Sequence, residues 1–365
     1  MSTLQQQIQR LADQAIDVGD ETGTQIAVYQ GDELVVSVVA GVADFRTGRS
    51  ITADTPVYTY SMGKAMTAVI THRLVDRGVF GDDGYDATIA EFWPEFAVGG
   101  KETVTIRHAL THTAGIPGLP TEVTPEDLCD WDGICATVAG LEAWWTPGSK
   151  TAYHAYTFGF IIGELVRRAT GRPISEVLAT EIAQPLGVEG ELWFGMPTTE
   201  QPRLARLVDD PSQAGMTLPP ESPMWKLAPP AVVPNADFGN RPDILAADIP
   251  AGGKMTARAI ARMYAAVLGE VDGVRLVSPR AAGSLTEVAF TGVDEIFGET
   301  SPWSLGLGVG GPGAEPGTGG WFGFAGAGGT YAGMNPGTGM CVAVVKNRLG
   351  FDMDLATEVV ELIES

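Results

Sequence analysis

Tyr58-Thr59-Tyr60-Ser61-Met62-Gly63-Lys64-Ala65-Met66-Thr67-Ala68 is the stretch on which the reading of this chain turns. Ser61 follows a short β-like run and opens an apolar-periodic helix, expected over Ser61–Val75 and stopped by the basic residue and glycine of Arg77-Gly78. Ser61 and Lys64, three positions apart, share one helix face about a turn from each other. A serine in the first turn sits among free backbone N–H groups and the positive end of the helix dipole, where negative charge is stabilised. A partly desolvated lysine beside it, feeling the same dipole, has a lowered pKa and can take the serine proton. Alone, the four-residue pattern also describes a capping serine followed by a surface lysine, so the rest of the chain decides.

The chain has 365 residues, enough for two compact units or one large one. With 44% hydrophobic and 19% charged residues, it is expected to fold around a sizeable core. Its formal charge of −22 repels phosphate backbones and anionic lipid, so no nucleic-acid or membrane partner is expected. The N-terminal Met1-Ser2-Thr3-Leu4 lacks a basic region followed by an apolar core, and no apolar run approaches the ~18 residues of a membrane span. Cys129, Cys135 and Cys341 are too few for a disulfide framework and lack zinc-finger spacing. Cys129 and Cys135 stand close enough in sequence to leave their pairing open. The expectation is a cytoplasmic protein with reduced thiols.

Periodicity predicts a first helix over Leu4–Ile16, then a hairpin of Thr24–Tyr29 and Leu34–Val42 broken at Gly31-Asp32. Helical signals follow at Thr105–Leu110, Pro125–Val138, Phe158–Thr170 and Ile174–Ala183, punctuated by Gly and Pro. Residues 211–250 hold nine of the 24 prolines and read as a long ordered loop or lid. A helix capped by Thr256 is expected to Leu268, strands at Gly329–Met334 and Cys341–Val345, and a last helix over Met353–Ile363. Strands near both ends with helices between predict an α+β architecture. Its antiparallel sheet domain, flanked by the terminal helices, would comprise residues 1–60 and 245–365. Residues 61–244 would form a mainly helical domain that includes the Pro-rich loop 211–244.

Three further stretches accompany Ser61 and Lys64: Tyr153-His154-Ala155, Thr105-Ile-Arg-His-Ala-Leu-Thr-His112-Thr-Ala-Gly115, and Phe322-Gly-Phe-Ala-Gly326-Ala-Gly-Gly329 leading into a strand. With Pro185-Leu-Gly187 and Ala251-Gly-Gly-Lys-Met-Thr-Ala257, they resemble the serine β-lactamase and penicillin-binding-protein superfamily nearly end to end. Within it, the chain is most similar to the class C-like esterases, the family VIII carboxylesterases.

The resemblance implies that Ser61 is the acylated nucleophile, Lys64 its base, and Tyr153 the relay that protonates the leaving group. It also implies an oxyanion hole built from the backbone N–H groups of Ser61 and Ala327. His154, Phe324, Ala325 and Gly326 would border the substrate. Two departures from the family pattern bear on specificity. Ala155 stands where β-lactamases carry an asparagine, and Phe324 stands where they carry a lysine or histidine that holds a carboxylate. Phe324 offers no donor, so neutral, partly apolar ester substrates are expected and anionic ones are penalised.

Other patterns point nowhere. His108 and His112 have the helix spacing of two zinc ligands, but Ala109 stands where a metalloprotease needs Glu, so a structural role in a turn is expected. Gly306-Leu-Gly308-Val-Gly-Gly311 matches a dinucleotide fingerprint by letter, yet Pro312 and Pro316 follow where a helix must open. No metal and no cofactor is expected. Trp144, Trp145 and Trp321 read as core or cavity wall. The expected function is a serine esterase working through an acyl-enzyme on Ser61. An acyltransferase whose 211–250 region shapes an acceptor pocket, a β-lactamase or DD-peptidase, and a non-catalytic binding protein are the alternatives. The oligomeric state and the physiological acyl group are not legible in the sequence.

Overall fold

The computed structural model describes residues 3–213, 219, 221–350 and 352–365. The first apolar stripe forms the helix Leu4–Asp17, opened by a capping box in which Thr3 Oγ1 accepts from Gln6 N and the Gln6 side chain accepts from Thr3 N. Gly23–Gln30 and Glu33–Asp44 form the antiparallel hairpin, turning at Gly31, whose φ of 61° suits a residue without Cβ.

Nine strands make one antiparallel sheet. In spatial order they are Arg49–Ser50, Glu33–Asp44, Gly23–Gln30, Met340–Lys346, Thr330–Asn335, Phe322–Gly326, Gly308–Val309, Thr300–Trp303 and Phe290–Val293. The two ends of the chain therefore meet mid-sheet, with Thr24 opposite Lys346 and Gln30 opposite Met340. The helices Leu4–Asp17 and Asp354–Glu364 cover one face, burying Ile8, Ala12, Leu355 and Val359 against Ile26, Val28, Val342 and Val344. On the other face lies Ala257–Leu268, with Ile260, Met263 and Tyr264 fully buried. Each large apolar side chain so buried contributes roughly 1.5–3 kcal/mol, and this two-sided cover explains why Gly23–Gln30 is buried on both faces.

The chain between is mainly helical. Pro125–Val138 is not one helix but two, Pro125–Cys129 and Trp131–Gly140. Asp130 breaks them: it takes an extended conformation and its carboxylate caps the second helix by accepting from Gly133 N at 3.2 Å. Ile174–Ala183 likewise changes character, becoming a π turn over Ala179–Ala183. In the Pro-rich stretch, prolines open short turns at Pro223–Lys226 and Pro230–Val232 and the helix Pro242–Ala246. Residues 214–218 and 220 of that stretch lie outside the described residues.

A three-stranded sheet joins Val57–Tyr58, Lys254–Met255 and Leu192–Trp193. It pins the approach to Ser61 against the 250–255 segment. The core is continuous from the sheet into the helices: Ala27, Ala343 and Val345 belong to the same cluster as Met66, Phe158 and Phe160. Among the described residues, no helix is long and apolar enough to cross a membrane.

Candidate active site

The serine sits on a strained turn. Residues 60–62 form one turn of 3-10 helix running into the helix Gly63–Asp76, and Tyr60 has φ 48°, a value non-glycine residues rarely adopt. That conformation is held from several sides. Tyr60 stacks on Tyr58 at 4.4 Å, its hydroxyl donates to Asn235 O at 2.6 Å, and its carbonyl accepts from Gly253 N at 3.0 Å. Gly63 is required here, because a Cβ would stand 2.3 Å from Gly252 C. The close approach brings the 250–253 backbone over the helix start.

Lys64 is thereby enclosed. It is fully buried, its Nζ lies 3.2 Å from Ser61 Oγ and donates to Ala251 O at 3.2 Å, and it stands 4.7 Å over the Tyr153 ring. Burial alone holds its pKa well below the ordinary lysine value. Tyr153 is pushed the other way by burial, opposed by a hydrogen bond with Ser61, and so stays a protonated phenol.

Tyr153 belongs to a loop built on His112. His112 has φ 57°; its carbonyl accepts from Thr151 Oγ1 at 3.2 Å and Ala152 N at 3.3 Å, and its ring Nδ1 accepts from His154 N at 2.9 Å. The neutral ring therefore carries its proton on Nε2, and burial keeps its pKa well below the usual histidine range. Trp303 packs 4.2 Å from the His112 ring and stacks on Tyr153 at 6.2 Å, while Phe324 lies 6.1 Å from Trp303. Asp294, buried, accepts from Tyr153 N at 2.8 Å.

The strand Phe322–Gly326 closes the site. Gly326 packs so tightly on the serine turn that a Cβ would stand 2.0 Å from Thr59 O. Ala327, next in the chain, is thus brought to the cavity that holds Ser61. This cavity, about 680 Å³, is walled by Met224, Leu227 and Pro234 of the Pro-rich stretch and by Phe297, Trp303, Phe324 and Ala325. Glu299 is the one charged side chain among its described lining residues. A second, small compartment of about 40 Å³ adjoins Ser61 on another side, between Tyr58, Tyr60, Tyr156 and Pro234. Tyr153 borders the large cavity; Ala155 borders both.

Of the residues singled out from sequence, Ser61, Tyr153, Phe324, Ala325, Gly326 and Ala327 line this cavity, and Lys64 lies buried against Ser61. His154 does neither. It is fully buried behind Tyr153, its Nδ1 donating to Ala152 O at 2.7 Å, and burial lowers its pKa to about 4. It braces the turn and is not placed to touch substrate. Trp321 is core, donating to Glu364 Oε1 at 2.6 Å, whereas Trp144 is half exposed. His108 Nδ1 accepts from Thr105 N at 3.2 Å, capping its helix. All three cysteines are unpaired. Sequence reasoning missed Trp303 and Asp294, which no sequence pattern ties to Tyr153; the structural turn role expected of His112 is the one it plays here.

A serine at a cavity mouth, a buried lysine against its hydroxyl and a phenol beside both define a serine hydrolase. A family model for beta-lactamase matches residues 8–364, and the chain belongs to that family. It is 34% identical over 352 residues to the esterase/beta-lactamase LipL of Mycobacterium tuberculosis, covering 90% of this chain and 77% of that protein. It is 29% identical over 202 residues to the esterase EstB of Burkholderia gladioli, about half of each chain (51% and 51%). Among solved structures, a family VIII carboxylesterase superposes with a TM-score of 0.84 at 28% identity, covering 98% of both chains. A penicillin-binding protein homolog from Caulobacter crescentus gives 0.85 at 30% identity, covering 99% of this chain and 97% of the other.

Proposed function

We propose that this protein is a serine esterase that hydrolyses neutral carboxylic esters through an acyl-enzyme on Ser61. The observation that carries this is the fully buried, neutral-leaning Lys64 amine 3.2 Å from a serine hydroxyl that opens onto an apolar cavity. Similarity to proteins named as esterases supports it.

In acylation, the neutral Lys64 amine accepts the Ser61 proton while Ser61 Oγ bonds to the carbonyl carbon. The developing oxyanion is received by the backbone N–H groups of Ser61 and Ala327, a stabilisation worth about 3–4 kcal/mol per donor in comparable sites. The C–O bond to the alcohol then breaks, Tyr153 gives its phenolic proton to the leaving oxygen, and the Lys64 ammonium restores it. Water approaching beside Tyr153 reverses these transfers and releases the acid. Tyr153 is suited to the acid role because burial favours its neutral form.

The lining sorts substrates by charge. No cation faces the cavity among its described residues, Phe324 supplies no donor to a carboxylate, and Glu299 repels one. This favours neutral esters over β-lactams and peptidoglycan stems. The acyltransferase reading keeps one specific support: the large cavity beside Tyr153 has room for an apolar alcohol to replace water. Cytoplasmic action, with no nucleic-acid or membrane partner, belongs to the same proposal; three unpaired cysteines suit a reducing compartment.

The test compares wild type with Ser61→Ala on p-nitrophenyl acetate, with a chromogenic cephalosporin alongside. Ester turnover that disappears in the variant, with little cephalosporin hydrolysis, supports the proposal. Well-folded wild type that turns over neither substrate overturns it.

A further inference from the structure

Asp294 stands at the head of the turn joining Phe290–Val293 to Thr300–Trp303, and only 1% of it is exposed. Its two carboxylate oxygens serve two separate segments. Oδ2 accepts from Tyr153 N at 2.8 Å, while Oδ1 accepts from Ile296 N at 2.8 Å and Phe297 N at 3.0 Å. The main chain reinforces the link: Glu295 N donates to Thr151 O at 3.0 Å, and Asp294 N donates to Glu299 O at 2.8 Å. The same hairpin carries Trp303, which stacks on the Tyr153 ring at 15° between planes. Tyr153 is thus held at its backbone by a carboxylate and at its ring by an indole, both from one hairpin.

We propose that Asp294 is a positioning residue for proton delivery: it fixes the main chain of Tyr153 so that the phenol meets the leaving oxygen, and it locks that loop to the hairpin forming one cavity wall. The proposal rests on the reading of Tyr153 as the acid. The physical reason is angular. Tyr153 precedes its helix, Thr157–Thr170, on an irregular loop, so no helical hydrogen bond sets the direction of its Cα–Cβ bond. Charge-assisted bonds from a buried carboxylate are the strong kind available to do so. Small displacements at a proton-transfer distance reduce rate steeply.

The experiment separates proton delivery from general damage by changing the leaving group at constant acyl group. p-Nitrophenyl acetate and benzyl acetate form the same acetyl-enzyme, so kcat/KM reports acylation in both. p-Nitrophenolate departs without a proton, whereas benzyl alkoxide needs one. Asp294→Ala is expected to lower kcat/KM about 30-fold or more for benzyl acetate and less than about 3-fold for p-nitrophenyl acetate. Asp294→Asn keeps a carbonyl oxygen for Ile296 and Phe297 but turns an amide N–H2 toward Tyr153 N. It is expected to show the same split, with a melting temperature lowered by a few degrees because Tyr153 N is left facing a donor. Tyr153→Phe should show a larger split, and adding Asp294→Ala to it should cost little more on benzyl acetate. If both Asp294 variants lower the two esters equally while Tyr153→Phe splits them, the positioning role is overturned. If Tyr153→Phe itself shows no split, the acid assignment fails, and the proposal with it.

Discussion

Lys64 and Lys254 share almost every local property. Both are fully buried. Lys64 stands 4.7 Å over the Tyr153 ring and Lys254 4.8 Å over the Tyr58 ring. Lys64 donates to Ala251 O; Lys254 donates to Phe194 O and Ile244 O. Burial lowers both pKa values, that of Lys254 to about 7. The decisive difference is a serine hydroxyl: it lies 3.2 Å from Lys64 and opens onto the cavity, while Lys254 donates to carbonyls and feels the Asp248 carboxylate, with no hydroxyl among its described hydrogen-bond partners. A perturbed pKa therefore does not make a lysine catalytic; a reacting atom within reach does.

Substitution should break the resemblance most plainly. Lys64→Met is expected to lower kcat/KM for p-nitrophenyl acetate at least roughly 10³-fold, because the serine loses its base. Lys254→Met should leave the same quantity within about 3-fold. Steady-state kinetics on both variants, with circular dichroism to confirm folding, would check the pair. Comparable losses in the two would remove the distinction.

pH sharpens the contrast. Lys64 must be neutral to accept the serine proton, and its pKa lies well below the usual lysine value because the ammonium is desolvated. kcat/KM should therefore rise with pH and level off well short of ordinary lysine titration, in wild type and Lys254→Met alike. A profile that instead followed an ordinary lysine titration near pH 10, with acylation limiting, would count against Lys64 as a base neutralised by burial.

The two lysines also show what a sequence can and cannot convey. Ser61-x-x-Lys64 was legible because both residues ride one helix, so spacing alone fixes their geometry. The hairpin, the terminal helices and the helix after Thr256 were legible for the same reason, since their patterns are local. Burial of Lys254 was not, because it depends on Phe194 and Ile244 arriving from elsewhere in the chain. The support of Tyr153 was hidden likewise: it joins residues 112, 151–154, 294 and 303, which only the tertiary fold brings together. His154 misled because adjacency to Tyr153 in sequence says nothing about which way an irregular loop turns its side chains.

The cavities extend the comparison to substrates. On the proposed mechanism the leaving alcohol and any acceptor would occupy the 680 Å³ cavity that Tyr153 borders, and the acyl chain the 40 Å³ compartment by Tyr58 and Tyr156. Benzyl acetate and methyl phenylacetate are isomers that reverse this division. Benzyl acetate should be preferred in kcat/KM by about tenfold or more, since a single methylene in an apolar pocket is worth roughly 10–200-fold. Equal rates would show that the compartment does not limit the acyl group.

The last effect expected concerns stability. Lys254 has a folded pKa of about 7, below its unfolded value near 10.4, so between those limits the unfolded chain binds more protons. Its contribution to stability therefore improves as pH rises from about 7 to 10 and is constant below. Lys254→Met abolishes that titration. The stability of wild type relative to Lys254→Met, from urea unfolding, should increase by about 3–4 kcal/mol from pH 7 to 10. An unchanged difference would mean that Lys254 is solvated as fully in the folded chain as in the unfolded one, and its likeness to Lys64 would be one of position alone.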